Sequence, residues 1–332
     1  MTTKKLLLTG GAGFIGHHVV EGVLKNTDWE IIILDRLDLF SNIERLKDIE
    51  IWDSQKSRVK FVWWDLKSEI NNQIIKEIGK IDYIFHLAAS SHVDRSITDP
   101  MSFVMDNVVG TTNLLICAKN NPVEKIIYFS TDEVFGPAPE GVNYKEWDRY
   151  NSGNPYAASK AGAEEICLAF ANTYKLPIII THTMNVYGER QHPEKFIPST
   201  IKKVLAGEKI LIHADKTKTK SGSRFWIHAR NVCQALLFLT KNGAPGDKYN
   251  IVGEKEVSNL DIARTIAEIL NKPLDYEMVD FHSSRPGHDL RYALDGTKLK
   301  EIGFSFPKNF DESFKKTVEW IADPKNTKWL EI

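Results

Sequence analysis

Up to about residue 185, short apolar runs alternate with stretches in which apolar residues recur at helical spacing. Lys4 to Thr9 is the first run, and His17 to Leu24 follows it with Val19, Val20, Val23 and Leu24 on one helical face. Glu30 to Leu34, Val59 to Trp64, Ile81 to His86, Lys125 to Phe129 and Leu176 to Thr181 continue the runs. Between them, about Pro100 to Asn120 and Tyr156 to Tyr174 carry helical periodicity. Near-continuous apolar runs predict strands covered on both faces. Their alternation with helices predicts an α/β fold built on a doubly wound parallel sheet.

Past residue 185 the pattern becomes irregular. Pro193, Pro198 and the polar stretch His213 to Ser223 read as poor sheet material. Helical and strand-like pieces return at Val232 to Thr240 and Tyr249 to Val252. This predicts a first domain over residues 1–185, with a segment about 224–252 returning to it, and a smaller C-terminal substrate-binding lobe made mainly from 186–332.

The first strand runs into Gly10-Gly11-Ala12-Gly13-Phe14-Ile15-Gly16, a helix and a second strand ending at Asp35. That is the layout of a Rossmann-type dinucleotide turn. Its glycines make the tight turn, admit a pyrophosphate to backbone N–H groups and bring helix and strand together. Gly10, Gly13, Phe14, Ile15 and Gly16 are therefore expected on a dinucleotide. Asp35, accepting from both ribose hydroxyls, favours NAD over NADP, with Arg36 beside it read as a solvated neighbour. Asp65-Leu66 closes the third run; the acid there either holds an adenine amino group or caps a helix. The small residues of Leu87-Ala88-Ala89 let a flat cofactor lie close.

The Lys125 to Phe129 strand is followed by Ser130-Thr131-Asp132-Glu133. A hydroxyl and two carboxylates at the carboxyl end of a parallel strand stand where open α/β sheets place their chemistry, and acid/base work on a sugar is the expected use. Tyr156 and Lys160 follow, one helical turn apart. An ammonium beside the phenol would lower its pKa and make it a base for a sugar hydroxyl, while Lys160 also holds the nicotinamide ribose.

Composition narrows the partners. The 332 residues carry a formal net charge of −1 without long blocks of either sign, which argues against nucleic-acid or membrane binding through bulk charge. Lys216, Lys218 and Lys220 read as a solvated loop. Cys117, Cys167 and Cys233 are widely spaced inside helical patterns and read as reduced core residues, with no metal set. No apolar run approaches the about 20 residues of a membrane span. A cytoplasmic protein is expected.

These motifs together resemble the extended short-chain dehydrogenases/reductases, and within them the nucleotide-sugar 4,6-dehydratases. The resemblance extends through Ser91-His92-Val93-Asp94-Arg95-Ser96, Thr131-Asp132-Glu133-Val134-Phe135-Gly136 and Tyr156-Ala157-Ala158-Ser159-Lys160. It continues in Asn185-Val186-Tyr187-Gly188, Pro193-Glu194-Lys195-Phe196-Ile197-Pro198 and Arg285-Pro286-Gly287-His288-Asp289. It implies an NAD-dependent lyase acting on a nucleoside-diphosphate hexose, dTDP-glucose first. By the family pattern Glu133 takes the carbon-5 proton, Asp132 protonates the departing carbon-6 hydroxyl, and Thr131 bonds the carbon-4 oxygen. Ser91, Asn185, Lys195, Arg224, Asn259, Arg285 and His288 are implied on the substrate, and a homodimer formed by two helices per subunit. UDP-sugar 4,6- or 5,6-dehydration, epimerisation and a non-catalytic NAD-sensing role are the alternatives. Ser90 where the family commonly has Glu, Phe225 in place of Asp in an Arg-Asp-Trp triplet, and a longer lysine-rich segment Ala214 to Ser223 are departures.

Overall fold

A computed structural model describes residues 3–280 and 290–331. Seven strands form one parallel sheet: β1 (Lys5–Thr9), β2 (Glu30–Asp35), β3 (Val59–Trp63), β4 (Tyr83–His86), β5 (Lys125–Thr131), β6 (Ile178–Thr183) and a last strand Lys248–Ile251. Across the sheet the order is Lys248–Ile251, β6, β5, β4, β1, β2, β3. The chain therefore reverses its direction of travel between β1 and β4, and a doubly wound sheet opens its ligand crevice there.

The apolar runs are explained by cover on both faces. Leu6, Leu8, Ile31 and Ile33 point to one side, against helix α1 (Phe14–Asn26) and the helix Ala229–Asn242. Leu7, Ile32 and Leu34 point to the other, against Gly110–Asn120 and Pro155–Tyr174. Lys248–Ile251 pairs with β6 in parallel, so residues well past 185 complete the sheet edge.

The C-terminal lobe packs the helices Phe196–Ala206, Asn259–Leu270 and Phe310–Ala322 around their own core. One sequence expectation fails here. Ile210–Ala214 is a strand, paired in parallel with Tyr276–Asp280, although it includes His213. Ile210, Ile212 and Ala214 are buried while Leu211 stands half exposed, so alternation rather than polarity decides the strand. Pro198 sits in the first turn of its helix, where a missing N–H costs nothing.

Pro100–Asn120 is helical throughout, with a π turn at Val104–Val109. Its mean hydropathy of 1.2 over a membrane-length window exceeds what the run-by-run reading of the sequence predicts, and 44% of that window is buried. Leu114, Leu115 and Ala118 pack on the sheet, while Asp106 and Asn107 are tied to Arg36 and Ser90 at its midpoint. A sheet-covering helix accounts for this pattern.

Candidate active site

A cavity of about 300 Å³ lies over the carboxyl ends of β1, β2 and β4. It gathers the residues expected on a dinucleotide: Gly10, Gly13, Phe14, Ile15, Gly16, Asp35, Asp65, Leu66, Leu87, Ala88, Ala89, Tyr156 and Lys160. Gly10 has a φ of +71°, and a Cβ there would stand 2.9 Å from the Ala88 backbone. At Gly16 a Cβ would stand 2.0 Å from the Gly10 carbonyl oxygen. No side chain caps the start of α1 at Gly13, which leaves first-turn N–H groups for an anion. The Asp35 carboxylate accepts from the Ala12 and Leu37 N–H groups at 3.0 and 2.9 Å, and burial pushes its carboxyl up. The shape and donors fit a dinucleotide pyrophosphate and its ribose.

Three local readings change. Asp65 caps a turn by accepting from the Lys67 N–H at 3.0 Å; the next helix is capped by Asn71 instead, so the helix-cap alternative falls away. Arg36 is half-buried and paired rather than a free surface group: its guanidinium forks onto Asp106 at 2.6 and 2.9 Å and also donates to Asp38. Charge at Tyr156 also runs against expectation. Burial first, then the Glu133 carboxylate, push its phenol well above the ordinary range, with a hydrogen bond to Thr131 opposing. Lys160 donates to the Phe129 carbonyl at 2.7 Å, and burial lowers it to about 8, so it does not depress the phenol in this arrangement.

The acid pair stands at the end of β5, just outside the cavity lining. Thr131 organises it: its hydroxyl donates to Asp132 Oδ1 at 3.1 Å and accepts from the Glu133 N–H at 3.3 Å. Asp132 is buried, and its Oδ2 finds no hydrogen-bond partner among the described residues. Burial first and Glu133 second raise its carboxyl to about 7, with Arg224 pulling the other way. Burial of Asp132 beside a second carboxyl thus lets it hold a proton near neutral pH, where an ordinary aspartate has none.

Sequence reasoning missed Asn154. Its Oδ1 accepts from the Ala157 N–H at 2.8 Å, capping Pro155–Tyr174, and its Nδ2 donates to Glu133 Oε2 at 3.0 Å. One residue thereby fixes Glu133 to the helix that carries Tyr156; an Asn-Pro before a periodic stretch was the signal for the cap alone. Also missed was a buried set beneath the strand ends. Glu164 accepts from Ser130 and Tyr150, pairs with His182 Nε2 at 3.0 Å and lies 3.6 Å from Lys248 Nζ. Burial opposes ionisation of Glu164, but His182 and Lys248 outweigh it and hold the carboxyl below its usual range.

The implied substrate residues are less gathered. Ser91 and Lys195 line the cavity. Arg224 lies within electrostatic reach of Asp132, over the Tyr292 ring and donating to the Leu290 carbonyl at 2.7 Å. Asn259 stands near it, its N–H donating to the Gly222 carbonyl. Asn185 holds the Ile227 N–H through its carbonyl. Arg285 and His288 lie outside the described residues.

Residues 6–252 match the NAD dependent epimerase/dehydratase family. The dTDP-glucose 4,6-dehydratase of Salmonella typhimurium (strain LT2) is 37% identical over 352 residues, covering 98% of this chain and 94% of the relative. A solved dTDP-glucose 4,6-dehydratase from Streptomyces venezuelae with NAD bound superposes with a TM-score of 0.88 at 34% identity, covering 98% of this chain and 99% of that one. The UDP-glucose 4-epimerase of Thermus thermophilus, in complex with NAD, superposes with a TM-score of 0.86 at 27% identity, covering 96% of this chain and 99% of that one.

Proposed function

Because the chain belongs to the NAD dependent epimerase/dehydratase family, we propose its activity from the acids at the end of β5: an NAD-dependent nucleoside-diphosphate-glucose 4,6-dehydratase. The backbone superposes on a dehydratase and on an epimerase almost equally well, so fold does not separate the two reactions. The observation that does is Asp132, buried, held up to about 7 and with one oxygen unpartnered among the described residues. Inverting carbon 4 needs no acid for a leaving hydroxyl; expelling the carbon-6 hydroxyl does.

Gly10, Gly13, Gly16 and Asp35 would hold NAD, which would supply a reversible hydride acceptor for the sugar. The chain's own residues move the protons. Tyr156 takes the carbon-4 hydroxyl proton with Thr131 bonding the same oxygen; Lys160, on the same cavity wall, is proposed on the nicotinamide ribose. The carbon-4 ketone acidifies carbon 5, and Glu133, oriented by Asn154, removes that proton. Asp132 gives its proton to the carbon-6 hydroxyl, which leaves as water, and a solvent-exchanged proton returned through Glu133 to carbon 5 as carbon 6 is reduced completes the product. Ser91, Lys195, Arg224 and Asn259 are proposed on the nucleotide diphosphate; a guanidinium fork suits it.

The similarity to dTDP-glucose 4,6-dehydratases supports dTDP-glucose as substrate. Residues 1–185 with about 224–252 are proposed as the dinucleotide unit, and the remainder of 186–332 as the lobe that takes the sugar nucleotide. Met101, Val104, Met105 and Ile116, exposed along Pro100–Asn120, support a homodimer seam. Three buried free cysteines support a cytoplasmic setting. The test is incubation with dTDP-, UDP-, GDP- and CDP-glucose and UDP-N-acetylglucosamine, read by mass spectrometry. Loss of one water from dTDP-glucose is expected. Loss of water only from another nucleotide sugar overturns the base; an isomer of unchanged formula overturns the reaction.

A further inference from the structure

The Arg36–Asp106 pair has a consequence for which dinucleotide the cavity takes. A cavity selective for a 2′-phosphate needs a free guanidinium just past the second strand. Arg36 stands there, immediately after Asp35, and its chain position alone suggests tolerance of NADP. Its guanidinium is already engaged. Nη1 and Nη2 fork onto the two oxygens of Asp106 at 2.6 and 2.9 Å, while Nε and Nη2 reach Asp38 Oδ2 at 3.2 and 2.9 Å. Asp65 stands 3.6 Å from Nη1.

Asp106 is itself held in place. Ser90 donates to its Oδ2 at 2.5 Å, and Asn107, next in the chain, receives the Ser90 N–H at 2.8 Å. The carboxylate stands in the π turn Val104–Val109, a helical irregularity of the kind that re-aims side chains at functional sites. Asp35, Arg36, Asp38, Asp65, Ser90 and Asp106 all line the dinucleotide cavity. With a serine at position 90, Asp106 on the facing helix supplies the acid at this corner.

We propose that Asp106 is a specificity-determining residue for the cofactor: by clamping Arg36 it denies a 2′-phosphate its cation and leaves the ribose corner net negative, so that NAD is taken and NADP refused. This rests on the reading of the cavity as a dinucleotide site. Around the corner, the four carboxylates of Asp35, Asp38, Asp65 and Asp106 face Arg36 and Lys67, with Arg45 within electrostatic reach of Asp35, so negative charge still exceeds positive. A phosphate dianion entering there would meet like charge at short range, which costs far more than the ordinary hydroxyls of NAD.

The test equilibrates the full chain with equimolar NAD and NADP, removes free nucleotide, and quantifies what is released on denaturation. For Asp106→Ala the bound NADP-to-NAD ratio should rise by about tenfold or more, because one negative charge leaves and Arg36 loses its two-pronged partner while keeping Asp38. Asp106→Asn, which keeps the shape and the Ser90 contact, should raise it in the same direction. The double change Arg36→Ala/Asp106→Ala should lose most of the gain, since no cation is left to meet the phosphate. Dinucleotide bound with a ratio unchanged in both single variants would overturn the role of Asp106 alone. A chain that retains neither nucleotide would overturn the dinucleotide reading and this inference with it.

Discussion

Replacing Asp132 by Asn should stabilise the protein at alkaline pH and slow elimination heavily. The carboxyl is held at about 7 against an ordinary 3.8, so the folded chain keeps this proton over a range in which the unfolded chain has released it. With the folded pKa raised, the stabilisation is complete below about pH 4 and is lost as pH climbs to 7. The gap spans about three pH units, and each is worth about 1.4 kcal/mol. Ionising Asp132 in its burial beside Glu133 therefore costs at most about 4 kcal/mol, which an amide of the same shape does not incur. Urea unfolding of both proteins from pH 5 to 9, followed by tryptophan fluorescence, isolates this group because every other titration is shared. The stability advantage of Asp132→Asn should grow up to about pH 7 and level above it. A difference independent of pH, or one that shrinks as pH rises, would refute the reasoning. In the same preparations elimination should fall by about 10²–10⁴-fold, since an amide donates no acid proton. The parent's elimination rate should decline above pH 7 as the acid form is depleted.

Two further outcomes follow from packing and charge. Gly16→Ala places a methyl 2.0 Å from the Gly10 carbonyl oxygen, so either the turn or α1 must shift; loss of dinucleotide binding is expected in equilibrium dialysis, together with about 1–3 kcal/mol of stability. Glu164→Gln leaves buried His182 and Lys248 facing an uncharged partner, and about 3 kcal/mol should be lost in denaturant unfolding, whereas a change under about 0.5 kcal/mol would show that the buried set holds nothing together.

What was legible in the sequence was local or periodic. β1 and β2 are continuous apolar runs because both faces are covered, and the glycine turn announces itself because only glycine fits at Gly10 and Gly16. Thr131, Asp132 and Glu133 were legible because one strand end carries all three. The illegible parts were assembled from distant segments. Glu164, His182, Lys248 and Tyr150 each look like a lone polar residue, and only the pairing of β6 with Lys248–Ile251, covered by the helix Pro155–Tyr174 and the loop carrying Tyr150, brings them together. Asp106 lies in an apolar helix whose π turn no spacing rule reveals, so Arg36 read as solvated until its partner was in view. The charge order at Tyr156 and Lys160 failed for a related reason. Helical spacing places both on one wall, but burial and the Phe129 carbonyl decide where the lysine's charge goes.

The central claim is that one site moves hydrogen from carbon 4 to carbon 6 while Glu133 and Asp132 exchange protons at carbons 5 and 6. The most direct measurement is turnover of dTDP-glucose carrying deuterium at carbon 4, run once in ordinary water and once, unlabelled, in heavy water, with products placed by NMR. The account predicts the carbon-4 label at carbon 6 of a 4-keto-6-deoxy product, and solvent deuterium at carbon 5. A label returned to carbon 4 with both hydroxyls intact would contradict it and leave an epimerase.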